Sequence, residues 1–304
     1  MEFKSVLDVQ DRLEKVKYIS SKEISTVIYL AQATKKPILV EGPAGVGKTE
    51  LAKSIAKCLN RELIRMQCYE GLDESKALYE WEYAKQLLYT QMVKEKINDI
   101  VSDTSTLAEA IDQIAEHEDA FFSEKFIQTR PLLQAISSEE PVVLLIDEVD
   151  KSDPEFEAFL LELLSDFQVT IPEIGTIEAK THPFVFLTSN NYRDLSDALK
   201  RRCLHLYIDY PAIETEMDIV RLKLPEIDAE LLEKMVRMVA AIRDLDLKKQ
   251  PCISETLDWG RSLVALQIED LSAETVAETL NAICKHKADY AVVKKNILKI
   301  VKQD

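Results

Sequence analysis

The chain reads as an α/β fold, an αβα sandwich around a parallel sheet, followed by a small all-α lid. Three observations predict this. Pro37-Ile38-Leu39-Val40 runs through a glycine-rich segment into Leu51-Ala52-Lys53-Ser54-Ile55-Ala56, the order strand, loop, helix. Val142-Val143-Leu144-Leu145-Ile146 is an unbroken apolar run, as suits a parallel strand covered on both faces. Beyond Pro211 the strand-like runs stop and helical patterns follow one another.

The glycine-rich segment, Gly42-Pro43-Ala44-Gly45-Val46-Gly47-Lys48-Thr49, fits G-x-x-x-x-G-K-[ST]. In that pattern backbone N–H groups and a helix N-terminus surround phosphate oxygens. Contacts to a nucleotide are expected from Gly42 through Glu50, with Lys48 reaching the β/γ-phosphates and Thr49 holding Mg²⁺. The second half of such a site is expected at Asp147-Glu148, where the apolar run ends in two acids. Ligand groups gather at the carboxyl ends of parallel strands. Asp147 would bind Mg²⁺ there, directly or through water, and Glu148 would face the water that attacks the γ-phosphate. An acid pair ending a core strand is unremarked in isolation; beside a full phosphate loop it points to ATP hydrolysis.

In chain order, residues 5–34 carry two amphipathic helices, the second capped by Ser20 or Ser21. The helix after the phosphate loop runs to about Asn60. A second strand follows at Glu62 to Gln67, leaving Gln67 or Cys68 at a strand end near where Glu148 would lie. Leu72 to Lys96 is aromatic and helical in pattern, an aromatic stripe of the kind that makes core or subunit interface. Residues 98–122 read as a solvated acidic helix, and Pro131 opens another. Asp153-Pro154 starts a helix ending near Asp166, and Gln168 to Ala179 reads as a projecting, mobile β-hairpin. A strand from Pro183 ends at Ser189-Asn190-Asn191. A short helix ends in Lys200-Arg201-Arg202, and Leu204 to Ile208 forms the last strand. The boundary falls at Pro211, giving a core at residues 1–211 with the hairpin at about 168–179 inserted in it, and a lid at residues 212–304.

The bulk properties narrow the function classes. With 304 residues and 46% hydrophobic composition the chain can bury a sizeable core. No apolar run approaches the roughly 20 residues of a membrane helix, and the N-terminus begins no secretory segment, so the cytoplasm is the expected address. The net charge of −16 repels a polyanion and disfavours nucleic acid as main partner. The five cysteines form no C-x-x-C pair and the four histidines no ligand cluster, so reduced thiols and no zinc site are expected.

The order of these motifs resembles the AAA+ ATPases. Asp147-Glu148-Val149-Asp150, the run Glu157 to Pro172, and Leu187-Thr188-Ser189-Asn190 are similar to the MoxR family, in the branch associated with carbon monoxide dehydrogenase maturation. Gln67 to Asp73 and Asp258-Trp259 extend the resemblance over nearly the whole chain. The resemblance implies that Asn190 is the sensor that orients the attacking water or senses the γ-phosphate. It makes Arg202 the arginine finger, with Arg201 next in line, acting on the ATP of a neighbouring subunit. It implies a homo-oligomeric ring, a hexamer, and as partners a von Willebrand factor A-domain protein and a client metalloenzyme. Related families often carry an arginine at the start of the lid helix where this chain has Ser254; Arg261, two turns on, is then the candidate nucleotide-facing lid cation. Two other readings are a nucleic-acid motor, against which stands a hairpin with no Lys or Arg, and a scaffold that hydrolyses little, against which stand Glu148 and two finger candidates.

Overall fold

The computed structural model describes residues 2–92, 126–171 and 175–301. The expected helix at residues 98–122 and the hairpin tip, Pro172 to Ile174, lie outside them. Ser5 and Ser21 open α1 (Val6–Lys15) and α2 (Lys22–Thr34), their hydroxyls accepting the N–H groups of Asp8 and Ile24. Then come β1 (Ile38–Glu41), α3 (Lys48–Leu59) and β2 (Leu63–Gln67). They are followed by α4 (Glu74–Leu78), β3 (Tyr79–Trp81), α5 (Tyr83–Met92), β4 (Ile127–Thr129) and α6 (Pro131–Ser137). Next are β5 (Val143–Asp147), α7 (Pro154–Asp166), β6 (Gln168–Ile171), β7 (Gly175–Glu178) and β8 (Phe184–Ser189), then α8 (Asp197–Arg202) and β9 (Leu204–Tyr207).

Five strands form one sheet in the order β2-β5-β8-β1-β9. β1 pairs with β9 in parallel, Ile38 opposite Leu204, and β2 with β5 in parallel, Gln67 opposite Asp147. Every residue of β5 and of β8 is buried, the burial that continuous apolar runs require. By its packing the chain divides into two compact units, one of Met1–Asn60, Leu187–Arg193 and Leu204–Asp304, the other of Arg61–Phe186 and Asp194–Cys203.

From Ile213 onward the described chain is helical: α9 (Ile213–Lys223), α10 (Ala229–Arg243), α11 (Ile253–Ala265), α12 (Ala273–Thr279) and α13 (Lys287–Ile300). These helices share a core of their own around Trp259, Met235, Val239, Leu280 and Val293. Trp259 is fully buried and donates its indole N–H to Thr279 Oγ1 at 2.8 Å, so its polar edge is satisfied inside the core. Gly260 lets α11 lie close to its neighbours, since a Cβ there would stand 2.8 Å from Leu224 Cδ1.

One local expectation is corrected. Tyr79 and Trp81 are not helical: they form β3, antiparallel to β4, with Trp81 opposite Ile127. The alternation Tyr79-Glu80-Trp81 places both aromatics on one face of a pleated strand, half-buried and in edge-to-face contact with centroids 6.2 Å apart. In the described part of the hairpin β6 is half-buried and β7 is largely exposed. Val169 and Ile171 are buried, and the rings of Phe167 and His182 meet at its base, 3.9 Å between centroids. Among the described residues no helix is long and apolar enough to cross a membrane.

Candidate functional site

In the first unit the phosphate loop joins β1 to α3. Gly42, Gly45 and Gly47 all have positive φ, and at Gly42 a Cβ would lie 2.0 Å from the carbonyl oxygen of Ile208. Only glycine fits that approach. Gly47, in the left-handed region, is the N-cap of α3 and has no side chain to offer the helix's first N–H groups. Among the described residues nothing lies within 4 Å of where its Cβ would stand, and helix N-termini of this kind favour phosphate oxygens.

Lys48 starts that helix and is 6% exposed. Its ammonium donates to the carbonyl oxygens of Gly42 at 2.7 Å and Pro43 at 2.6 Å, and to Asn190 Oδ1 at 2.8 Å. A charge this buried needs such acceptors. The structure thus brings together Lys48 and Asn190, which lie far apart in sequence. Asn190 comes just after Ser189 at the carboxyl end of β8. Glu50, in the first turn of α3, pairs with Lys223 of α9 at 3.4 Å. Glu41, the last residue before Gly42, pairs with His205 on the neighbouring strand at 2.5 Å.

The start of α11 belongs to the same unit and reaches the loop. A Cβ on Gly45 would stand 2.0 Å from Cys252 Sγ and 3.5 Å from Ser254 Oγ. Arg261 lies two turns further along α11, is exposed, and pairs with Asp258 at 3.1 Å. Cys252 was not among the expected site residues, and no local pattern marks it: its place depends on how the lid helices pack.

In the second unit the acids stand at the end of β5. Asp147 is 3% exposed, and its Oδ2 accepts from Arg65 Nη2 at 2.6 Å and Nε at 3.1 Å. Glu148 occupies the left-handed region at φ 57°, uncommon for a residue with a side chain, and opens a 3₁₀ turn, Val149–Lys151. Its Oε2 accepts from Gln67 Nε2 at 2.7 Å and from Lys151 Nζ at 2.6 Å. The bond to Glu148 holds the Lys151 ammonium above its ordinary range, against a smaller opposing effect of burial. Gln67 therefore meets Glu148 as the strand register anticipates. Arg65 was missed, although it lies two residues before Gln67 and so on the same face of β2.

Arg201 and Arg202, at the end of α8, are both exposed. Arg202 Nε donates to Ser165 Oγ of α7 and its Nη1 to the carbonyl of Ala198 at 3.4 Å.

The residues fit a nucleoside triphosphate: a cradle of positive-φ glycines, an open helix mouth, and an ammonium at its rim. Among the described residues no group of three or more His, Cys, Asp or Glu side chains could hold a metal. Mg²⁺ that arrives with a nucleotide usually takes phosphate oxygens and water into its shell beside one or two carboxylates.

A family model described as AAA domain (dynein-related subfamily) matches residues 37–203. The gas vesicle ATPase GvpN of Haloferax mediterranei is 26% identical over 218 residues, which cover 69% of this chain and only 57% of that protein. An uncharacterized protein of Staphylococcus aureus is 24% identical over 289 residues, covering 90% of this chain and 96% of its own length. Among solved structures, the RuvB Holliday junction branch migration motor of Thermotoga maritima is similar with a TM-score of 0.47 at 16% identity, covering 96% of this chain and 77% of that one.

Proposed function

The chain belongs to the AAA domain family, dynein-related subfamily, and is an ATPase; from that premise we propose that it is a MoxR-type ATPase that assembles into a ring and remodels a protein partner. The observation that carries the ATPase assignment of residues is the Lys48 ammonium held by Asn190 at the open mouth of α3. In the proposal, Gly42 through Glu50 bind the triphosphate, Thr49 and Asp147 serve the Mg²⁺, and Glu148 takes the proton of the attacking water. Bound Mg²⁺ would neutralise charge developing on the phosphates. Asn190 acts as the γ-phosphate sensor, Arg202 or Arg201 as the finger given to a neighbouring subunit, and Arg261 as the lid cation.

The exposure of both finger arginines supports use in trans, because a cation meant for another subunit must be reachable. The net charge of −16 supports a protein client over a nucleic acid. The finer parts of the proposal rest on the motifs quoted above: a hexameric ring, the branch associated with carbon monoxide dehydrogenase maturation, a von Willebrand factor A-domain co-factor protein, a metalloenzyme client and a cytoplasmic address.

Mixing two inactive proteins tests the ring. Arg202→Ala protein supplies an intact phosphate loop and Lys48→Ala protein an intact arginine, so a mixed interface regains ATPase activity over a range of ratios. No recovery, with assembly confirmed by light scattering, removes the trans finger from this position.

A further inference from the structure

We infer that Cys252 and Glu255, at the start of α11, are positioning residues for the nucleotide, setting the form of the phosphate loop at Gly45 from the lid side. The inference rests on the ATPase reading above and names the part of the lid that shapes its binding loop. Gly45 has φ +77°, and the Cys252 sulphur fills the place a side chain there would take, 2.0 Å from an ideal Cβ. The turn carrying Gly45 is thus roofed by a sulphur atom, and its path follows where that atom is held.

The sulphur is held by Glu255, which is itself fixed by two further bonds. The thiol donates to Glu255 Oε2, the same oxygen accepts the Cys252 backbone N–H at 3.1 Å, and Glu255 Oε1 takes the Lys249 ammonium at 2.9 Å. Cys252 and Glu255 are both buried, at 3% and 6% exposure, so these bonds work without competing water. The residues flanking this clasp are pinned as well. Arg243 Nε grips the carbonyl of Pro251 at 2.7 Å, and Thr256 Oγ1 donates at 2.6 Å to Glu216, which Arg243 also binds through both of its terminal nitrogens. Burial first, and then the adjacent carboxylate, push the thiol above its ordinary range, so Cys252 stays neutral and donating. A neutral sulphur also suits a loop that must receive a polyanion, where a thiolate would repel it.

The clasp therefore acts on affinity and has little to do with the chemical step. Cys252→Ala deletes the sulphur and the donor, Cys252→Ser restores a donor, and Glu255→Gln removes the charge that orients it. With a fluorescent ATP analogue, Cys252→Ala and Glu255→Gln are expected to weaken binding about tenfold, the worth of one buried charge-assisted hydrogen bond. KM is expected to rise more than kcat falls, and Cys252→Ser recovers most of the loss. Gly45→Ala supplies an independent check: its methyl meets the sulphur, so Gly45→Ala/Cys252→Ala binds the analogue more tightly than Gly45→Ala alone. The strain of a left-handed alanine is common to both proteins and cancels in that comparison. Unchanged affinity in Cys252→Ala with an unaltered melting temperature overturns the inference, and so does a double variant weaker than Gly45→Ala. A wild-type protein that binds no analogue overturns the ATPase reading itself, a result distinct from equal binding by wild type and variants.

Discussion

Lys48 and Asp147 are both buried charges, 6% and 3% exposed, but they are balanced in different ways. The partners described for Lys48 are neutral oxygens of its own loop and of Asn190; those for Asp147 are the nitrogens of Arg65, whose side chain is half in solvent. A carboxylate that already has a counter-charge must exchange it for an arriving cation. Under the proposed function the acids trade partners when a cation arrives, Arg65 at Asp147 and Gln67 and Lys151 at Glu148.

The comparison can be broken at its strongest point by Glu148→Gln. Hydrolysis is expected to fall by about 10²–10⁴-fold, the usual cost of losing a general base, while ATP binding persists because the loop half is untouched. Phosphate release measured in a single turnover checks this, and an unaltered rate takes Glu148 out of the chemistry. Lys48→Ala acts on the other half. Loss of a charged donor to phosphate, worth about 1.5–3 kcal/mol, is expected to weaken ATP binding by roughly 10- to 100-fold, as read by calorimetry.

Smaller effects sharpen the difference. Arg65→Ala removes a competitor from Asp147, and since exposed ion pairs are worth about 0.2–1 kcal/mol, the Mg²⁺ concentration at half-maximal activity is expected to drop by at most about fivefold. A rise in that concentration would instead make Arg65 a support for the metal site. The slightest effect is one of pH. Burial opposes the charge on Glu255, but the bonds from Cys252 and Lys249 outweigh it and hold the acid below its ordinary value of 4.5. The stability this contributes is complete above pH 4.5 and disappears as pH falls through the lower folded value. Melting temperatures measured downward from pH 6 should therefore fall less steeply for Glu255→Gln than for the wild type.

The phosphate loop was legible in the sequence because its chemistry is local: glycines, Lys48 and Thr49 work from adjacent positions on one turn. The neighbourhood of the acids was legible where strand register carries it, so Gln67 or Cys68 could be placed near Glu148 from the two strand ends alone, and the structure selects Gln67. The register says nothing of which long side chain bends over Asp147, and Arg65 was overlooked for that reason. Cys252 was beyond reach, because its contact with Gly45 is decided by the packing of α9, α10 and α11 around Trp259. Tyr79 and Trp81 misled because aromatic residues spaced through a helix-like stretch also satisfy a three-residue strand, and the partner that decides, β4, lies some fifty residues on.

Gly47, the N-cap of α3, has no side chain with which to cap it, where Ser5 and Ser21 cap α1 and α2. Under the proposed function the bound phosphates take that place, and part of the folding free energy of this protein is then held by the cell's supply of nucleotide. Any ligand bound by the native state alone adds RT ln(1 + [L]/Kd), about 2.7 kcal/mol when free ligand stands at 100 times Kd. Starvation for ATP would then do more than idle the enzyme: it would raise the fraction of chains open to proteolysis, so that the amount of protein as well as its turnover follows the energy state of the cell.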